Sequence, residues 1–165
     1  MAIDVLKRLM SFIILCLAQA LVFNHIHLFG HAMVLLYVYF VVMFPRNYPR
    51  WAILLWSFSL GLCVDMFSST PGLAAGSLTL TGFVQPYLLE KLVPREAAEN
   101  IRSSMATLGF TKFLLLATAL VFIHCFLFFT LETFNFFNWI PWALNIASTT
   151  LLTVVILMAI ESVRK

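Results

Sequence analysis

The stretch LGLCVDMFSSTPGLAAGSL, Leu60 to Leu78, sets an aspartate, two adjacent serines, a threonine and a Pro-Gly pair inside a long apolar run. Such an interruption is either a corner where two buried helices meet or a site that binds or reacts. Composition fixes the surroundings. Of 165 residues, 62% are hydrophobic and 10% charged, and the mean hydropathy is +1.00. A soluble domain is roughly 45–50% apolar and about 25% charged. Seven acidic and ten basic residues cannot clothe a globule in solvated surface, so the chain reads as a polytopic membrane protein. Cys16, Cys63 and Cys125 lie inside apolar runs without CxxC spacing and read as small hydrophobes. The net charge of +3 does not indicate nucleic acid, because topology accounts for the basic residues.

A crossing helix needs about 20 apolar residues, with about 17 as a practical minimum. Polar breaks divide the chain into segments at about 9–26, 28–44, 50–67, 71–89, 106–130 and 142–161. Leu9 to Phe44 as one helix would be about 54 Å long, too long for one bilayer. Lys and Arg gather on the cytoplasmic side. With six spans, every basic residue falls inside, including Arg46, Arg50, Lys91, Arg95, Arg102 and Lys112. Fusing the first two segments would move Arg46 and Arg50 outside. The reading is therefore an all-α bundle of six transmembrane helices forming a single membrane domain, with both termini cytoplasmic. Lys7-Arg8, an apolar run and "AQA" at 18–20 look like a cleavable leader. The charge pattern needs this segment as the first span, so retention is expected.

On this topology the opening stretch is the outer corner between spans three and four. Ser69 or Thr70 is expected to cap span four, with Pro71 at its first position. One oxygen of Asp65 is expected at the free N–H groups and positive dipole end of span four. Ser57, Gly61 and Asp65 recur every four residues as one stripe on span three, and Gly72 and Gly76 form a GxxxG pair on span four. Small residues at this spacing let membrane helices approach backbone to backbone. A structural corner is the leading interpretation. A protein contact or a catalytic or ligand role stays open, although a lone Asp without a paired carboxylate or base is a weak catalytic signal.

Other polar positions carry alternatives. His25, His27, His31 and His124 fall toward the outer side and are weak candidates for metal ligation; interfacial histidines more often bond backbone, water or headgroups. Gln19 and Asn24 need partners within the membrane, in a helix contact or a polar pocket. Asn145, Thr149 and Thr153 form a stripe on span six that faces either the interior or a partner helix. "FNFFNWIPW", Phe134 to Trp142, reads as an aromatic belt with Pro141 leading the last helix. The inner loop Glu90–Ser104 reads as solvated or as a short surface helix. There is no Walker loop, HExxH, GxSxG or glycine-rich dinucleotide loop, so neither enzymatic activity nor a cofactor is expected.

SLGLCVDMFSSTPGLAAGSLTLTGF, Ser59 to Phe83, resembles the central hairpin of the MreD family, the small integral-membrane members of the bacterial rod-shape machinery. Gly61, Leu62, Asp65, Pro71 and Gly72 stand where that family's pattern requires them, and Gln19, chain length and span count also agree. Pro71 and Gly72 are adjacent here, where the family commonly has an intervening Leu. The resemblance implies a bundle similar to the substrate-binding subunits of energy-coupling-factor transporters, in the bacterial inner membrane. It also implies a non-enzymatic scaffold that docks MreC directly. Through MreC it would link MreB to RodA and its transpeptidase, and so regulate cell shape and peptidoglycan synthesis. The partners are then these proteins and membrane lipids, not nucleic acid. Gly61, Asp65, Pro71, Gly72 and Gly76 would determine the fold, and Asn145 and Thr149 would contact the partner. The alternative is the ligand-binding subunit of a vitamin-type importer, with Gln19, Asn24, Asp65 and the histidines around an outward-facing cavity.

Overall fold

The computed structural model describes residues 2–21, 27–28, 32–33, 35–69, 71–97, 105–133 and 139–164. Among them are seven helices: α1 (Ala2–Leu21), α2 (Val38–Val42), α3 (Arg50–Ser68), α4 (Leu73–Leu92), α5 (Met105–Leu108), α6 (Phe110–Thr133) and α7 (Trp139–Arg164). A two-stranded antiparallel hairpin, β1 (His27–Leu28) and β2 (Ala32–Met33), pairs His27 with Met33 and Leu28 with Ala32. The architecture is α-helical. Helices α3, α6 and α7 are each long and apolar enough to cross a membrane. At 20 residues, α1 and α4 are about as long as a crossing requires. However, α1 includes Asp4, Lys7 and Arg8, and α4 is diluted by hydroxyl residues, Gln85 and Pro86.

Helices α3 and α4 form the most extensive pairing, α4 packs on α6, and α6 on α7. Outward positions are apolar: Ile13, Leu55, Phe83, Leu115, Phe122 and Leu151 are all strongly exposed. Soluble monomers rarely expose so much contiguous apolar surface, whereas a lipid-facing exterior requires it.

Segment 28–44 departs from its sequence reading. Its described residues do not form one helix: Leu28 and Ala32–Met33 belong to the hairpin, 35–37 are irregular, and α2 has five residues. From Leu35 onward it lies within the bundle. Residues 35–42 and Phe44 are all buried, and α2 touches α1, α3, α4 and α6. The stretch runs back along α1, with Gln19 meeting Leu36, Phe12 meeting Phe40 and Arg8 meeting Phe44. Non-helical backbone is tolerated at membrane depth only where protein surrounds it, and the surrounding helices supply that shield. The first helix also differs, beginning at Ala2 rather than near Leu9.

Candidate functional site

Two sets of buried polar contacts define the interior. The first is the α3–α4 corner. Asp65 is 3% exposed and accepts two backbone N–H groups, from Ala74 at Oδ1 (2.8 Å) and Ala75 at Oδ2 (3.0 Å). Both are among the first N–H groups of α4, which have no partner within their own helix. The carboxylate of one helix thus caps the next, with both oxygens engaged rather than one.

The local backbone makes this geometry possible. Ser69 ends α3 in the left-handed region at φ 56°, its N–H donating to the Asp65 carbonyl. Gly72 follows at φ 84° and starts α4. The cap therefore falls at Gly72, which has no side chain to offer, instead of Ser69; Thr70 lies outside the described residues. Pro71 sits in the turn before the helix, not at its first position. A non-glycine residue at φ 84° would be strained, so Gly72 is required for its conformation.

Close approach occurs elsewhere than the GxxxG spacing suggests. A Cβ on Gly61 would lie 2.5 Å from the Ala75 Cα and 2.7 Å from the Ala74 carbonyl oxygen. A Cβ on Gly82 would lie 2.5 Å from Ser57 Oγ. A Cβ on Gly76 meets nothing within 4 Å. The stripe Ser57, Gly61 and Asp65 does face α4, but its counterparts are Gly82 and the Ala74-Ala75 pair; Gly76 is not part of the contact.

The second set serves the irregular segment. The Leu36 N–H donates to Gln19 Oε1 of α1 (3.0 Å), and the Leu35 N–H to Thr153 Oγ1 of α7 (3.3 Å). Gln85 Nε2 of α4 donates to the Phe44 carbonyl (3.1 Å). Three helices thus each supply a side chain to a backbone that lacks helical partners of its own. Leaving a buried backbone group unsatisfied costs about 1–3 kcal/mol.

Two tyrosines of the same segment complete the network. Tyr37 Oη lies 2.8 Å from His124 Nε2 of α6, their rings edge to face. The Tyr39 hydroxyl donates to Glu161 Oε2 and accepts from Arg164 Nη1 (3.2 Å), while Glu161 Oε1 accepts the Met105 N–H (3.1 Å). Glu161, Gln85 and the two tyrosines carried no role in the sequence reading. Glu161 and Gln85 were visible there as polar residues within apolar helical stretches, the signal that singled out Gln19.

Several expectations change here. Thr149 and Thr153 are fully buried, so the span-six stripe faces the interior of this chain and not a partner helix; Asn145, partly buried, belongs to the same face. His124 is likewise buried, with Nε2 committed to Tyr37. Of the other metal candidates, His25 and His31 lie outside the described residues, as does Asn24, and only the backbone of His27 is described. Among the described residues no group of three or more His, Cys, Asp or Glu could hold a metal. Most of the aromatic belt, residues 134–138, is outside the described set, and α7 begins at Trp139 with Pro141 in its first turn.

At the other end of α3, basic residues from several elements converge. Arg46 Nη1 donates to the Pro94 carbonyl (3.4 Å), and Arg50 bonds Tyr87 Oη (3.2 Å) and pairs loosely with Glu90 (3.7 Å). Beside them a 430 Å³ cleft opens among α1, the α2–α3 connection and the end of α7. No family model, curated protein or solved structure matches the chain.

Proposed function

We propose that this chain is a non-enzymatic membrane scaffold of the bacterial cell-elongation machinery, of the MreD kind, docking MreC and linking MreB to RodA and its transpeptidase. It would cross the inner membrane six times, with both termini cytoplasmic. Five crossings would be the long helices, and the second would be the hairpin and irregular segment enclosed by them. The pairing of Leu35 with Thr153 and of Tyr39 with Glu161 supports this path, since the segment and α7 then run in the same direction. The gathering of Lys7, Arg8, Arg46, Arg50 and Arg164 at one end supports a cytoplasmic assignment for that end.

The observation that carries the reading is the α3–α4 corner. Gly61, Asp65 and Gly72, which bear the resemblance to the MreD hairpin, are among the residues whose replacement the geometry resists. Among the described residues, the buried side chains of Gln19, Asp65 and Gln85 hold backbone groups. Gln19 and Asp65, which the importer alternative would turn into a cavity, both accept main-chain N–H groups. The test is to replace the chain by Asp65→Leu in its own cells and to measure cell shape and the recovery of MreC. Rounded cells with less recovered MreC are expected. Normal rods with normal recovery would overturn the assignment.

A further inference from the structure

We propose that Cys16 of α1 and Cys63 of α3 form a reversible thiol–disulfide pair that fastens the first helix to the α3–α4 hairpin. The two helices pack on each other, and the seam between them is marked by Phe12 and Trp56, whose rings meet edge to face at 5.8 Å. Cys16 lies one turn beyond Phe12 and Cys63 two turns beyond Trp56, so both return to that seam farther along it. Each stands five residues before the last residue of its helix, Leu21 and Ser68, about 7–8 Å short of the helix end. Cys16 is 6% exposed and belongs to the core cluster, and Cys63, partly exposed, packs against that cluster. The two thiols share a side-chain hydrogen bond. Adjacent thiols on packed helices are the arrangement a disulfide requires. No CxxC spacing announces the pair, since 47 positions separate its members.

All three cysteines are free thiols in the form described here. Oxidation proceeds by exchange with a disulfide oxidant, RSSR. The more accessible Cys63 attacks one oxidant sulfur as its thiolate and releases one RS⁻. Cys16, also as its thiolate, then attacks the Cys63 sulfur and releases the second. Two thiols become one disulfide, the oxidant is reduced to two thiols, and the two protons lost by the cysteines pass to the departing thiolates. A dithiol reductant reverses the sequence. The principal packing contact of α1 is with α3, and Gln19, one turn past Cys16, holds the Leu36 N–H. The bond would therefore lock in place the helix that steadies the irregular segment. In the topology proposed above, this level of both helices is the outer one, where oxidising conditions preserve disulfides. That placement rests on the proposed topology, whereas the pairing itself does not.

The test uses the reduced full chain in uncharged detergent micelles, equilibrated with glutathione and glutathione disulfide at graded ratios. The reaction is quenched in acid, and the remaining thiols are alkylated after unfolding. Copper phenanthroline serves as a second, micelle-soluble oxidant. Intact mass and peptide mapping then show which cysteines are joined. The oxidised chain should be a monomer lighter by two hydrogens before alkylation, with Cys16 joined to Cys63 and Cys125, fully buried on α6, still a free thiol. Dithiothreitol should restore all three thiols. Cys16→Ser should lose the cross-link and leave Cys63 carrying glutathione as a mixed disulfide. Cys63→Ser should lose the cross-link and take up far less glutathione, because Cys16 is buried. Absence of a Cys16–Cys63 bond with either oxidant would overturn the pair, as would cross-links that form between chains or involve Cys125 equally. A bond made by copper phenanthroline and never by glutathione disulfide would overturn exchange as its chemistry. Recovery of MreC bears on none of these outcomes, so this proposal and the scaffold reading fail separately.

Discussion

Replacing Asp65 by Leu removes the acceptor of two buried N–H groups at once. Ala74 and Ala75 are 0% and 2% exposed, so water cannot take over the bonds that now run 2.8 and 3.0 Å to the carboxylate. A hydrogen bond to a charged group contributes about 1.5–3 kcal/mol, and the favourable placement of a negative charge at a helix N-terminus is contained within that figure. Loss of both bonds therefore costs about 3–6 kcal/mol. For a chain of this length, 1 kcal/mol corresponds to roughly 2–4 °C in Tm, so Asp65→Leu should lower Tm by roughly 6–24 °C. Asp65→Asn keeps one acceptor oxygen and loses the charge, at a cost of about 1–2 kcal/mol, typical of a weakened cap. The order wild type, Asn, Leu is as informative as the size of either shift. Thermal unfolding in detergent can be followed by a thiol-reactive dye, since Cys16 and Cys125 are free and buried. A Leu variant melting within a degree or two of wild type would refute the capping argument. An Asn variant as unstable as Leu would show that charge alone, not geometry, governs the corner.

Three further outcomes follow from the packing and the buried bonds. Gly61→Ala should destabilise by about 1–3 kcal/mol through overpacking against the Ala74-Ala75 backbone, whereas Gly76→Ala, with open space around it, should stabilise by about 0.5–1 kcal/mol; the same melting assay compares them. Gln85→Leu, which strands the Phe44 carbonyl, should cost about 1–3 kcal/mol, and an unchanged Tm would mean that another group serves this carbonyl. A double-mutant cycle of Tyr39→Phe and Glu161→Gln should give a coupling of about 0.5–3 kcal/mol, and additive effects would dismiss the contact.

The α3–α4 hairpin was legible because its boundaries are written in local chemistry. Pro49 precedes α3, and the polar run from Asp65 to Gly72 ends it, so the expected span 50–67 nearly coincides with Arg50–Ser68. The cap by Asp65 followed from the same stretch, since donor and acceptor lie nine and ten residues apart. The GxxxG spacing was less informative. It identified small residues but not which of them a neighbour approaches, and the contact fell on Gly61 and Gly82. Segment 28–44 was misread because hydropathy reports burial, not hydrogen bonding. A stretch buried on all sides shows no periodicity that separates helix from other backbone. Its partners Gln19, Gln85 and Thr153 lie 17, 41 and 118 positions away. No local pattern joins such residues, and for that reason the span-six stripe was left open between interior and partner.

The most direct measurement is affinity purification of the tagged chain from native membranes in mild detergent, with mass spectrometry of the proteins and small molecules recovered. The scaffold assignment requires MreC to be recovered together with the wall synthase RodA and its transpeptidase. Recovery of a transporter ATPase pair, or of a stoichiometric vitamin, would contradict it and return Gln19, Asp65 and the outer histidines to the role of a binding pocket.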